Sequence, residues 1–389
     1  MGETSERKAG GNERGFVAPG PTKKNRPINI LHRFKQLCAL HLFIVFLFLP
    51  LFWNVYAFTE LINSIRNVRN NEVTVRNAVL TVVLCYAFYY WVKDKGAQFR
   101  GRYFSQRMRK LPFWKVVFGY FPVKIILSEE LIQQSSREVV SAEQREDDPI
   151  VSDFHGLPVD RNYLVGYHPH GCFTIGEIGC FATEAAGFSR KFLGLRSWMA
   201  VNPAFFRWPI ARELAISMGF IGATYNEMRY LLDPERCGEK GNFLVISVGG
   251  VSEMLETTKG QYILSLEKRY GFFKLALETG ASLIPCVGFG ETNLYNTVKA
   301  KSGTFLRKMQ DRIQERLGYP AFLFYAYGLA PYPKPVYTVV GAPISCEKTV
   351  NPSKEQIAEL KSRYIEELSR LYRRYKDAYD PQAGELKVT

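Results

Sequence analysis

Histidine is scarce in this chain of 389 residues: there are five, and none follows His170. A metal site built on a His-x-His pair needs further histidines or carboxylates to complete its coordination, so the scarcity argues against one. Cysteine is present but unpatterned. The seven residues (Cys38, Cys85, Cys172, Cys180, Cys237, Cys286 and Cys346) form no Cys-x-x-Cys pair, which argues against a disulfide framework and suits a reducing compartment. No Gly-x-Ser-x-Gly elbow occurs, so the nucleophile signature of serine hydrolases is missing along with a histidine downstream of it. Acids are outnumbered, 37 Asp and Glu against 51 Lys and Arg, a formal charge of +14 that suits an anionic partner. The 28 Phe and 22 Tyr gather in apolar runs instead of basic stripes, which favours a lipid surface and argues against nucleic acid.

Charge is missing altogether from one stretch. Between Gln36 and Thr59 there is no Asp, Glu, Lys or Arg, a run long enough at about 1.5 Å per residue to cross the hydrocarbon core of a bilayer. A second, shorter apolar run extends from Asn77 to Val92, with Arg76 placed to snorkel at its end. The two predict a membrane-embedded hairpin over residues 37–95. Ahead of it, residues 1–36 are polar, rich in Gly, Lys and Arg, and too poor in apolar residues to fold alone. Lys23, Lys24, Arg26, Arg33 and Lys35 precede the hairpin, and Lys93, Lys95, Arg100, Arg102, Arg107, Arg109 and Lys110 follow it. The positive-inside rule then puts both termini in the cytosol and makes residues 96–389 a cytosolic domain on the membrane surface.

In that domain apolar runs alternate with helical spacing. Tyr163–Tyr167, Asn242–Val248, Ser282–Gly288 and Val336–Val340 read as buried strands. Phe272–Gly280 and Ser353–Lys376 read as helices, the second with apolar residues at Ile357, Leu360, Tyr364, Leu368, Leu371 and Tyr375. Ala204–Met218 also has helical spacing, whereas the acidic residues 129–149 read as an exposed loop or frayed helix. The expectation is an α/β fold with a mostly parallel sheet flanked by helices, preceded by the membrane hairpin.

Two of the five histidines sit in His168-Pro169-His170-Gly171, directly after the first strand. A strand ending in such a turn brings titratable nitrogens to the carboxyl edge of the sheet, where open α/β folds build sites. Four readings stand: a metal pair, a Cys172 nucleophile, two histidines satisfied in a core, and a histidine general base that deprotonates a hydroxyl as it attacks an activated acyl group. The last fits an apolar, basic setting, because a coenzyme A donor brings phosphates.

Further residues carry a family resemblance. Tyr120-Phe121-Pro122, His168-Pro169-His170-Gly171, Val248-Gly249-Gly250 with Glu253, Arg269-Tyr270-Gly271-Phe272 through Ala276, Gly280 and Pro285 to Phe289-Gly290-Glu291, and Val339-Val340-Gly341-Ala342-Pro343-Ile344 occur in this order. In that order they resemble the type-2 diacylglycerol acyltransferase family, which also includes monoacylglycerol and wax-alcohol acyltransferases. The resemblance covers roughly residues 96–376, and the N-terminal hairpin is similar too.

What the resemblance implies is a glycerolipid-acyltransferase-like fold and an endoplasmic-reticulum enzyme with no cofactor. Acyl-CoA is the co-substrate, diacylglycerol or a related neutral lipid the acceptor, and a lipid droplet a second location; a homo-oligomer is left open. His168 and His170 become the catalytic pair, with His168 as base and His170 orienting, and Glu184 the candidate orienting carboxylate. Gly249, Gly250 and Glu253 fall near the donor, with Gly171 among the substrate-binding residues; Arg269 and Lys274, with Gly271 between them, fall near coenzyme A phosphates, and Tyr120, Phe121 and Pro122 line the acyl path or brace the site by packing. Two departures stand out: the acidic stretch from Glu129 to Pro158 is longer than usual, and Phe322–Leu329 is short and lacks the usual His-Gly-Arg-Gly. The rival of a different class is a lipid-binding scaffold that has lost catalysis.

Overall fold

The computed structural model describes residues 96–101, 103–138, 156–207, 211–300, 303–317, 323–328 and 330–389, with scattered positions between 30 and 89. The polar segment 1–29 and most of the expected hairpin lie outside the described residues. Among the described residues no helix is long and apolar enough to cross a membrane.

The strands are β1 (Val123–Leu127), β2 (Tyr163–His168), β3 (Arg196–Val201), β4 (Phe220–Gly222), β5 (Asn242–Ser247), β6 (Tyr262–Leu264), β7 (Ser282–Phe289), β8 (Asn296–Val298), β9 (Leu323–Tyr325), β10 (Val336–Val340) and β11 (Leu386–Val388). Seven of them form one sheet in the order β1-β10-β7-β2-β5-β3-β4, in which only the β10–β7 pairing is antiparallel. The mostly parallel sheet is therefore present. β2 lies near its middle, every residue buried, because a parallel strand covered on both faces can be apolar throughout.

Alternation along β2 divides the core in two. Tyr163, Val165 and Tyr167 point into one layer with Phe118, Phe121, Phe181 and Phe243, while Leu164 points into the other with Phe273, Tyr364 and Tyr372. The second layer is closed by the long helix Lys354–Tyr379. It starts at a capping box between Ser353 and Gln356 and buries Ile357, Leu360, Tyr364, Leu368, Leu371 and Tyr375, the periodic residues of the sequence. The helix Tyr270–Thr279 stops at Gly280, whose φ of 69° is the left-handed value that ends helices.

Over Leu111–Ile126 the chain forms a helix, Pro112–Tyr120, and then strand β1, because Pro122 ends the helix and the following Val-Lys-Ile-Ile-Leu pairs with β10. Two local expectations need correction. Ala204–Met218 holds only a 3-10 turn, Pro203–Arg207, and a short helix, Ala211–Ser217; β3 and β4 on either side carried too weak a period to be read. Part of the acidic stretch is ordered: Glu129–Glu138 is a helix, tied to the long helix by Arg374, which pairs with Glu129 and, at 2.7 Å, Glu130. Residues 139–155 lie outside the described set.

Candidate active site

β2 delivers His168 to the carboxyl edge of the sheet, opposite Val287 of β7, and the chain turns there through a cis His168–Pro169 bond. His168 is 1% exposed and faces inward. Its Nε2 lies 3.0 Å from the Tyr364 hydroxyl, and its Nδ1 lies 3.8 Å from Glu253 Oε1. His170 reaches partway to solvent. Its backbone N–H donates to Glu253 Oε2 at 2.9 Å, and its Nδ1 is 3.1 Å from the Gly171 carbonyl. A carbonyl only accepts, so in neutral His170 Nδ1 carries the proton and the lone pair remains on Nε2. That nitrogen has no partner among the described residues. Burial lowers the His170 pKa, which keeps the ring neutral near pH 7.

Two carboxylates hold the turn. Glu253, 2% exposed on the helix Gly250–Glu256, takes the His170 N–H on one oxygen and the Ser265 N–H on the other, at 3.0 Å. Glu291 is equally buried and accepts from Ile175 N, Gly176 N and the Tyr167 hydroxyl at 2.7, 2.7 and 2.9 Å, which anchors the segment after the histidines. Glu177 follows on that segment, with Oε2 2.6 Å from Ser247 Oγ. Burial pushes Glu177 up to about 8 and Glu291 up to about 7. Cys172 is also buried, and its thiol is pushed up to about 12, so it holds no thiolate for nucleophilic attack near neutral pH. Among the described residues no group of three or more His, Cys, Asp or Glu is arranged to hold a metal ion.

Several expected residues stand elsewhere. Glu184 does not orient the histidines. It accepts from Ser189 N and Oγ at 3.0 and 2.9 Å and lies 4.0 Å from Arg109, a buried cation whose guanidinium donates to the carbonyls of Phe181, Met218 and Ser197. The carboxylate beside the histidines is Glu253, and its burial removes it from the surface a donor would touch. Gly249 explains part of that placement, since a Cβ there would sit 1.9 Å from the Glu253 carboxyl carbon. Gly250 has a φ of 55° and open space around it. Arg269 donates to the Gly249 carbonyl at 2.5 Å and reaches Ser252 at 3.3 Å, bracing this turn. Lys274 is exposed and pairs with Glu278 at 3.5 Å, while Gly271 sits open on the same helix. Tyr120 and Phe121 pack edge to face in the core, and Pro122 is exposed with its carbonyl bonded to Val336 N.

Tyr364 is the site residue that sequence reasoning passed over, because on its helix it is one more apolar position. The faint signal was Gly166 inside a strand, which marks a close approach. A Cβ on Gly166 would lie 2.1 Å from the Tyr364 hydroxyl. On the other face, Phe173 packs against Phe324 of the antiparallel β8–β9 pair with ring centroids 4.8 Å apart, so β9 borders the histidine turn.

A family profile described as diacylglycerol acyltransferase matches residues 149–389, which take in β2, the histidine turn, Glu253, Glu291 and the long helix. The 2-acylglycerol O-acyltransferase 1 of Bos taurus is 34% identical over 291 residues, 73% of this chain and 78% of that one. The diacylglycerol O-acyltransferase 2 of Homo sapiens is 31% identical over 80% of this chain and 77% of its own length. Among solved structures, the 1-acyl-sn-glycerophosphate (LPA) acyltransferase PlsC from Thermotoga maritima overlaps 76% of this chain and 97% of that one, at a TM-score of 0.33 and 15% identity. This α/β protein is an O-acyltransferase. It belongs to the diacylglycerol acyltransferase family.

Proposed function

We propose that the chain transfers a fatty acyl group from acyl-CoA to the free hydroxyl of diacylglycerol, forming triacylglycerol, with His170 as general base. One observation carries the reading: a neutral, partly exposed imidazole at the sheet edge, with Nδ1 engaged and Nε2 unpartnered among the described residues. In the reaction Nε2 takes the hydroxyl proton as the oxygen attacks the thioester carbonyl. The tetrahedral intermediate collapses, the C–S bond breaks, and the imidazolium returns its proton to the departing coenzyme A thiolate. The roles of the two histidines are thereby exchanged from the sequence expectation. Buried His168, between Tyr364 and Glu253, serves orientation.

The acceptor lies on the side of Phe173 and the β8–β9 pair in this reading, and the donor near the Gly249-Gly250 turn and Arg269. A monoacylglycerol acceptor is the second reading, favoured by the likeness to the bovine 2-acylglycerol enzyme. We place the enzyme on the endoplasmic-reticulum membrane, both termini cytosolic, on the strength of the uncharged run after Gln36. The deciding experiment supplies labelled oleoyl-CoA to membranes containing the protein, with diacylglycerol, monoacylglycerol or a long-chain alcohol in parallel and His170→Ala beside each. Triacylglycerol formed from diacylglycerol and lost in the variant supports the proposal. Product from monoacylglycerol alone selects the second reading, and no product from any acceptor leaves a lipid-binding scaffold.

A further inference from the structure

We infer that Tyr364 is a positioning residue for this site: its hydroxyl holds His168 in the tautomer that Glu253 selects and, through Glu253, sets the placement of the His170 backbone. The inference rests on His170 being the base. Tyr364 comes from the long helix, far along the chain from the histidines, and is completely buried in the core layer beneath β2. It reaches the strand because Gly166 has no side chain in its way, and its hydroxyl lies 3.0 Å from His168 Nε2 and 3.3 Å from the Gly166 carbonyl.

Three groups then decide where one proton sits. A hydroxyl donates a single hydrogen, so it goes either to the Gly166 carbonyl or to Nε2. If it went to the carbonyl, Nε2 would carry the imidazole proton and Nδ1 would present a lone pair. The neighbour of Nδ1 is Glu253 Oε1 at 3.8 Å, an oxygen that already accepts from Ser265 N. A lone pair facing a carboxylate is repelled, whereas an N–H is attracted, so the carboxylate selects the Nδ1–H tautomer. Nε2 is then the acceptor, and Tyr364 is the donor that satisfies it inside a dry core. Burial holds the Tyr364 phenol well above its ordinary pKa, so the hydrogen is present at every working pH. Nδ1 lies beyond hydrogen-bond distance of the carboxylate and has no other partner among the described residues, so its hold on Glu253 is electrostatic and depends on this tautomer. The other Glu253 oxygen anchors the His170 N–H, so a change at Tyr364 is felt at the base.

The test is Tyr364→Phe, which keeps the ring and removes the hydroxyl. With rates normalised to folded enzyme, kcat is expected to fall about tenfold, as for loss of one orienting hydrogen bond, with KM for oleoyl-CoA unchanged. In a Glu253→Gln background, where the charge that selects the tautomer is gone, the same substitution is expected to cost nothing further. A structural role alone would give equal losses in both backgrounds. Nitrogen-15 NMR of histidine-labelled wild-type protein reads the bond without any assay: the His168 signal, identified by its loss in His168→Gln, should show Nδ1 protonated and Nε2 as acceptor. A protonated Nε2 in the wild type, an unchanged kcat in Tyr364→Phe, or equal losses in the two backgrounds overturns the inference. Wild-type protein inactive on every acceptor would defeat the acyl-transfer proposal instead, and the NMR signal would still decide the Tyr364 bond.

Discussion

His170 is half-buried and Glu177 is buried, and burial moves the two titratable groups in opposite directions. For His170 the charged form is the protonated one, so burial lowers its pKa. As general base it acts when unprotonated. The acidic limb of kcat/KM is therefore expected to have its midpoint below the ordinary histidine value of about 6.5, measurable as a pH-rate profile on fixed membranes. His170→Ala is expected to lower kcat by about a hundred- to ten-thousand-fold in the same assay. For Glu177 the charged form is the deprotonated one, and its pKa is raised from 4.5 to about 8. Below about pH 4.5 it is protonated whether folded or unfolded. As pH rises toward 8 the unfolded chain releases that proton and the folded chain retains it, so stability is lost across this window. Glu177→Gln removes the liability while keeping an acceptor for the Ser247 hydroxyl. It should raise stability at pH 8 by on the order of a few kcal/mol and leave it unchanged at pH 4, as thermal melts at the two pH values would show.

The long C-terminal helix and β2 are the two elements on which the site depends, and they meet at Gly166. Gly166→Ala would drive a methyl group against the Tyr364 hydroxyl and is expected to cost about 1–3 kcal/mol in a urea melt, the range for overpacking a dense core. At the far end of the helix, Ser353 caps the Gln356 N–H at 3.2 Å from an exposed position. Ser353→Ala should cost about 1 kcal/mol in the same measurement and leave kcat unchanged, since it loosens an end remote from the histidines. The contrast between the two substitutions separates packing at the site from stability of the element that supplies it.

For the whole molecule the unpaired surface is informative. The described positions between 30 and 44 are helical, with Leu40 and Ile44 buried against the domain and Ile30, Leu31, Phe34 and Leu42 turned outward, Ile30 being 84% exposed. A helix apolar on both faces is poorly served by water. It leads into the uncharged run, and the exposed Leu323 and Tyr325 flank the Phe324 that packs on Phe173. We propose that these surfaces face lipid. The full-length protein is then expected to float with vesicles after alkaline carbonate washing, and protease added to the cytosolic side of sealed microsomes should remove epitope tags from both termini.

Local pattern was enough for much of this protein. The buried strands β2, β5, β7 and β10, the amphipathic helix and the histidine turn could all be read from runs and periods of a few residues, because burial on one or both faces leaves a direct trace in side-chain type. Strands β3 and β4 left too little trace, being short or mixed in composition beside a helical period. The choice of carboxylate was beyond the sequence as well. Glu184 and Glu253 are both acids near a motif, and only the placement of the Gly250–Glu256 helix beside the histidine turn brings one of them to the histidines and leaves the other with Arg109. The same holds for Tyr364, which at its place in the helix is an ordinary core residue until Gly166 is set opposite it. Sequence determined which elements form, since that follows from neighbours along the chain. Tertiary structure decided which side chains act together, since hydrogen bonds and charges are set by distance in space.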